Sequence, residues 1–302
     1  MKKLLKVLAV LVGILVAAAA IGVAGLYAWS GAELKKKTPL PAHAFVVPTD
    51  SASIARGEHL TRAIVKCADC HGQDFGGQVM IDDPAIGKIF APNLTRGEGG
   101  IAAAYDDATW ERAIRHGVAP DGRRLLIMPS NEYQFLSDED LGQVIAYLKQ
   151  LPAVSRTTPP PKVGPVARAL YAAGQLPLFP ANDVRHDAGV VPPVVADSTA
   201  AYGKYLGDVG CSGCHGATYG GGTIPGTPPD WPPAANLTPA ALDAAKYDLA
   251  GFTKAMREGV RPNGSSINPV MPIQATKLMT DLEIVALWKY LRTLEAREFG
   301  SR

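Results

Sequence analysis

The sequence of 302 residues predicts an all-α fold, with two tandem helical domains preceded by one N-terminal membrane-spanning helix. Three observations carry this prediction. An uncharged apolar run lies near the start of the chain, one pattern of residues occurs twice about 144 positions apart, and each copy closes on a helical apolar periodicity.

The first element is the apolar run. Val7 to Trp29 holds no charged residue over 23 positions, roughly 35 Å as a helix. Lys2, Lys3 and Lys6 precede it, as in a signal sequence or a signal anchor. Small residues at Ala18/Ala20 and Val23/Gly25 offer a cleavage site. The length of the run and its terminal Tyr27 and Trp29 favour a retained anchor over residues 1–30. Lys35, Lys36 and Lys37 follow the span, so flanking charge alone does not orient it. Residues 31–50, with Pro39, Pro41 and Pro48, read as a spacer above the membrane.

The two domains span 51–151 and 198–296, and all four cysteines head them in two cassettes, Cys67-Ala68-Asp69-Cys70-His71 and Cys211-Ser212-Gly213-Cys214-His215. Cys-x-x-Cys-His is the attachment signal of a c-type haem. Two thiols three apart on a helical turn can form thioethers with the two porphyrin vinyl groups, and the adjacent His then lies under the iron. A zinc site, a redox dithiol or disulfides would also use cysteine pairs, but none explains the His after each second cysteine or the repeat that follows. Two cassettes with no cysteine left over imply two covalently bound haem c groups, with His71 and His215 as proximal ligands.

Downstream, the two copies match in order. Phe75-Gly76-Gly77 answers Tyr219-Gly220-Gly221, and Asn93-Leu94-Thr95 answers Asn236-Leu237-Thr238. Tyr105-Asp106 and Tyr247-Asp248 each begin a helix, and Met128-Pro129 pairs with Met271-Pro272. The closing helices start at Ser137-Asp138-Glu139-Asp140 and at Thr280-Asp281-Leu282-Glu283, the second a full capping box. Leu141, Val144, Ile145 and Leu148 then form one apolar face, as do Leu287, Trp288 and Leu291. Glycine- and proline-rich loops join the helices. Residues 152–197 form a proline-rich connector with a short helix within 164–174 that packs across both domains, and 297–302 are a tail.

The charge of +2 conceals an asymmetry: the first 37 residues hold six Lys and one Glu, leaving 24 basic against 27 acidic residues in the rest. No basic stripe exists for nucleic acid.

A haem with one protein ligand binds exogenous molecules, whereas one with two mainly carries electrons. Met128 and Met271 stand at matched places, 57 and 56 residues after the proximal histidines, and a thioether is a soft ligand that raises the potential. They are the expected distal ligands of the iron. Met80 is the rival near the first haem; Met256 aligns with Ile114 and reads as core, and Met279 has no counterpart. His59 aligns with Tyr205, His116 with Glu258, and His43 and His186 lie in connectors, so all four read as structural or exposed.

The arrangement resembles the monohaem cytochrome c fold, duplicated, and is similar to the membrane-anchored cytochrome c subunits of bacterial dehydrogenases. The resemblance implies crossings of first and last helices at Gly57/Tyr147 and Gly203/Tyr290, and attachment of haem outside the cytoplasmic membrane. It also implies a proline carbonyl that orients the proximal His. Pro92 fits that role, while Ala235 stands at the counterpart, so the surroundings of the second histidine are expected to differ. Subunits of this look commonly hold three haems, and this chain has two cassettes.

The expected function is a single-pass protein of the bacterial cytoplasmic membrane, its globular part in the periplasm. It would relay electrons from a dehydrogenase or quinol-oxidising complex to a soluble cytochrome or terminal oxidase. A dihaem enzyme of the peroxidase or thiosulfate dehydrogenase type is the alternative, and it would need an iron that opens for substrate.

Overall fold

In the computed structural model, which describes residues 2–41, 43–44 and 46–302, the apolar run forms the longest element, α1 (Lys2–Lys35). Its most apolar window has mean hydropathy 2.9 and is wholly unburied, so by length and composition it can cross a membrane. The helix continues past the expected end at residue 30 because Ala32, Glu33, Leu34 and Lys35 are strong helix formers and the first proline comes at 39.

The first domain opens with α2 (Ser51–His59), whose N-cap Asp50 accepts from Ser53 N–H at 2.9 Å. A π turn at Leu60–Ile64 carries the chain to α3 (Cys67–His71). After a hairpin come α4 (Asp107–His116), capped by Asp106, the short α5 (Ser130–Tyr133) and α6 (Asp138–Leu148), capped by Ser137. Leu141, Val144 and Ile145 are fully buried, as the apolar periodicity requires. α2 and α6 cross where a Cβ on Gly57 would lie 1.9 Å from Gln143 O and 3.2 Å from Tyr147 Cβ, so only glycine allows the approach.

The hairpin corrects the all-α expectation. β1 (Gln78–Asp83) and β2 (Gly87–Ala91) pair antiparallel, and β3 (Lys162–Val163) joins β2 to complete a small sheet in a mostly helical fold. The strands arise from Val79-Met80-Ile81 and Ile89-Phe90, β-prone runs on either side of a turn. Asp83 Oδ1 closes that turn by accepting from Ala85 N–H (2.8 Å) and Ile86 N–H (2.7 Å).

In the connector, α7 (Pro165–Ala172) falls within the span expected to be helical. It packs on the end of α1: Trp29 stacks on Tyr171 at 5.6 Å, Arg168 donates to Ser30 Oγ at 2.7 Å, and its guanidinium lies 4.7 Å from the Tyr27 ring. Most of the connector's other contacts are with the first domain, through pairs such as Arg156–Asp74 and His186–His116.

The second domain repeats the order with α8 (Ala200–Gly210), α9 (Ser212–His215), α10 (Pro239–Ala244), α11 (Leu249–Glu258), α12 (Ile273–Thr276) and α13 (Asp281–Leu291). α13 begins with the capping box of Thr280 and Glu283. α8 and α13 cross at Gly203, where a Cβ would lie 1.9 Å from Ala286 O. The repeat also runs past the closing helices. Asn93 Nδ2 donates to Val154 O at 2.6 Å, and Asn236 Nδ2 donates to Arg297 O at 2.7 Å, so the start of the connector and the tail each fold back on their own domain.

Across the domain boundary, repeat-equivalent residues make reciprocal contacts. His59 of α2 meets Glu283 of α13 at 2.8 Å, and Tyr205 of α8 donates to Asp140 of α6 at 2.6 Å. The two halves thus face each other around a pseudo-two-fold axis.

Candidate functional site

A cavity of about 280 Å³ lies in the first domain and one of about 310 Å³ in the second. Cys67, Cys70, His71 and Met128 share the wall of the first, and Cys211, Cys214, His215 and Met271 that of the second. Residues 57 and 56 positions apart in sequence are thus brought to one cavity in each copy.

The histidines are held alike. His71 Nδ1 lies 2.8 Å from Pro92 O, and His215 Nδ1 lies 2.8 Å from Ala235 O. A carbonyl can only accept, so Nδ1 carries the proton and Nε2 keeps its lone pair. Burial holds both imidazoles below the ordinary histidine value against the pull of these carbonyls, which favours the neutral form that ligates metal. The expected difference between the two surroundings is absent, because the acceptor is a main-chain carbonyl and no proline ring is needed to present it.

Burial also governs the thiols. It pushes Cys67 up to about 12 and Cys211 up to about 11, and raises Cys70 and Cys214 as well. The four cysteines are not joined in disulfides.

The methionines are positioned by a shared turn. Pro129 (φ −77°, ψ 52°) and Pro272 (φ −77°, ψ 64°) are the centres of inverse γ-turns. In these turns Ser130 N–H returns to Met128 O at 2.7 Å and Ile273 N–H to Met271 O at 2.8 Å. The proline ring fixes φ, so the Met-Pro pair has a mechanical reason in both copies.

Met80 also lines the first cavity, at the bulge between Val79 and Ile81, and Met256 lines the second. Ile114 stands at the matching place in the first wall, so Met256 has an apolar equivalent, whereas Met271 is matched by another methionine. Met279 is buried outside both walls. Among the described residues, no other histidine lines either cavity: His59 engages Glu283, His43 Asp138, and His116 both His186 and Glu111.

The walls are mainly apolar, with a polar group at the edge. In the first cavity Trp110 Nε1 is buried without a partner, near Arg123 and Tyr105. In the second, Phe252 replaces the tryptophan, and Tyr247 and Arg261 supply polarity. An unpartnered donor and an arginine beside a thiol pair, an imidazole and a thioether suit a flat apolar group that carries acids, as a haem does with its propionates. Sequence reasoning missed Trp110, Arg123 and Arg261. The arginines do not occupy equivalent positions in the repeat, so only the Tyr105/Tyr247 match could have signalled this edge.

Residues 52–148 match the family model described as cytochrome c oxidase, cbb3-type, subunit III, and residues 200–295 match that of cytochrome c. The chain belongs to the c-type cytochromes: it carries two cytochrome c domains in tandem, and such domains imply covalently bound haem c. It is similar to cytochrome subunits of dehydrogenases. It is 30% identical over 173 residues (55% of this chain) to the gluconate 2-dehydrogenase cytochrome c subunit of Pantoea cypripedii, and 33% identical over 123 residues (39% of the chain) to the fructose dehydrogenase cytochrome subunit of Gluconobacter japonicus. A nicotinate dehydrogenase subunit of Pseudomonas putida aligns with 85% of the chain at 28% identity. The chain spans 38%, 24% and 23% of the length of these three relatives.

Proposed function

We propose that the protein is a membrane-anchored electron carrier with two haem c groups, each held by a histidine and a methionine. The observation that carries this reading is that each cavity brings together the cassette and the Met-Pro methionine of its own repeat. Haem c supplies one-electron iron chemistry. The chain's part is to fix His71 and His215 through their Nδ1 bonds, to present Met128 and Met271 on proline-set turns, and to keep water from the apolar walls. Two protein ligands per iron favour electron transfer over the dihaem-enzyme alternative, which needs a ligand position free for substrate.

The apolar α1 supports attachment to the bacterial cytoplasmic membrane with the domains on the periplasmic side. Similarity to dehydrogenase cytochrome subunits supports a dehydrogenase as electron donor, with a cytochrome or terminal oxidase as acceptor.

Haem content and near-infrared absorbance test this. Two haems per chain, both with methionine–iron bands when oxidised, are expected. Replacing Met128 or Met271 by Ala should abolish one band each and open that haem alone to carbon monoxide. If Met128→Ala changes nothing while Met80→Ala does, the ligand of the first haem is Met80.

A further inference from the structure

Two contacts lie on the pseudo-two-fold axis, because each joins a residue to its own repeat counterpart. Arg56 Nη2 donates to the hydroxyl of Tyr202 at 2.7 Å, and Lys66 Nζ donates to Gly210 O at 2.5 Å. Lys66 and Gly210 each immediately precede the first cysteine of a cassette. The two attachment segments therefore meet back to back, and Lys66 is the only described residue that lines both cavities.

The local backbone is built around this side chain. Gly57 and Cys67 are ten residues apart, Gly203 and Cys211 eight, and the first copy absorbs its two extra residues in the π turn and in Lys66, which has φ 58°. A lysine in that left-handed conformation carries strain that a glycine would avoid. The Gly210 counterpart has no side chain, and a Cβ there would lie 2.8 Å from Ile64 O and 3.2 Å from Lys66 Nζ. Lys66 Nζ is also held by Ile64 O at 3.0 Å. Two acids of the first domain feel its charge, one at each cassette. Asp69 belongs to the first cassette, and burial raises its carboxyl against the pull of Lys66. Glu132 reaches the second cassette, where its carboxylate accepts from Gly213 N–H at 3.2 Å, and its own counterpart is Ala275. Burial pushes the Glu132 carboxyl up as well, again against Lys66. The field of Lys66 reaches both cassettes: burial raises the thiols of Cys67 and Cys211, and Lys66 opposes it in each.

We propose that Lys66 is a shared positioning charge that sets the potentials of both haem sites together. This rests on each cassette holding a haem. A fixed cation in the wall of both cavities would disfavour the ferric state of a haem bound in each and raise both potentials. Its place in the wall of both cavities carries the effect to both sites, although it belongs to the first domain's sequence.

The test is potentiometric titration of the full-length holoprotein, with haem counted first. A wild-type count other than two overturns the function reading itself. With two haems present, Lys66→Gln, which retains a donor, and Lys66→Met should each lower both midpoint potentials. Lys66→Arg should restore both. A fall confined to one haem, or potentials unchanged while only the melting temperature drops, overturns the proposal and leaves Lys66 a structural cap. Persistence of both methionine–iron bands in the variants separates a charge effect from loss of a ligand.

Discussion

Trp110 shows how one side chain distinguishes two otherwise matched sites. Its Nε1 is buried with no protein partner, and its counterpart is Phe252. Burying an indole N–H without an acceptor costs about 1–3 kcal/mol, so the group that fills the cavity is expected to accept from it. Trp110→Phe removes that donor together with part of a buried ring, so the holoprotein should lose about 1–3 kcal/mol in thermal melts. If Nε1 stabilises a negative propionate, the first haem potential should fall while the second stays in place. That contrasts with the joint shift expected for Lys66, and one redox titration of each variant separates them. The candidate ligands were legible because duplication places Met128 and Met271 at nearly equal intervals after fixed cassettes. The polar edge was not, because Trp110 and Arg123 have no chemical equivalents in the second copy.

The helix crossings set the geometry of each domain. Gly57 and Gly203 let the first and last helices approach until backbone meets backbone, with Gln143 O and Ala286 O each 1.9 Å from where a Cβ would stand. Gly57→Ala or Gly203→Ala must push the pair apart, at a cost of about 3 kcal/mol or more, since main-chain atoms cannot swing aside as a side chain can. Urea unfolding should show the loss in the substituted domain, and a change below about 1 kcal/mol would mean that the helices are not held this closely. Both closing helices were legible from the apolar periodicity, and both crossings from the resemblance to the cytochrome c fold, which puts Gly57/Tyr147 and Gly203/Tyr290 there. The hairpin was not. Asp82-Asp83-Pro84 and Gly87 read as loop, while the strands they join are short, lie at the domain edge and depend on pairing with Lys162–Val163 about 75 residues later. The apolar runs Val79-Met80-Ile81 and Ile89-Phe90 are too short for periodicity to tell strand from loop, and the third strand is distant in sequence. The π turn before the first cassette is likewise set by the two extra residues of the first copy and by the fit of Lys66 against Gly210.

At the scale of the molecule, the domains are joined by buried polar groups as well as apolar surface, and this gives the assembly a pH dependence. Glu283 closes the capping box of α13 and is 1% exposed. It also receives Arg56 Nη1 at 3.0 Å and faces His59 Nε2 at 2.8 Å, both from the first domain. Burial alone would raise its carboxyl, but the His59 contact, the Thr280 N–H and Arg56 outweigh that and hold it at about 2 against an ordinary 4.5. A carboxyl depressed in the folded state contributes stability that is complete above its unfolded value and lost as pH falls through the folded one. The contribution is on the order of 3 kcal/mol, present at neutral pH and lost between about pH 4.5 and 2. Glu283→Gln isolates the effect, because glutamine can keep the capping-box bond to Thr280 N–H while it removes the charge. The variant should melt at a lower temperature than wild type at pH 7, and the gap should close as pH falls towards 2. Arg56 would then lose its buried partner, so the domains should also separate more readily, seen as two melting transitions in place of one. A pH-independent gap would place the role of Glu283 in the cap alone and leave the interface to its apolar contacts.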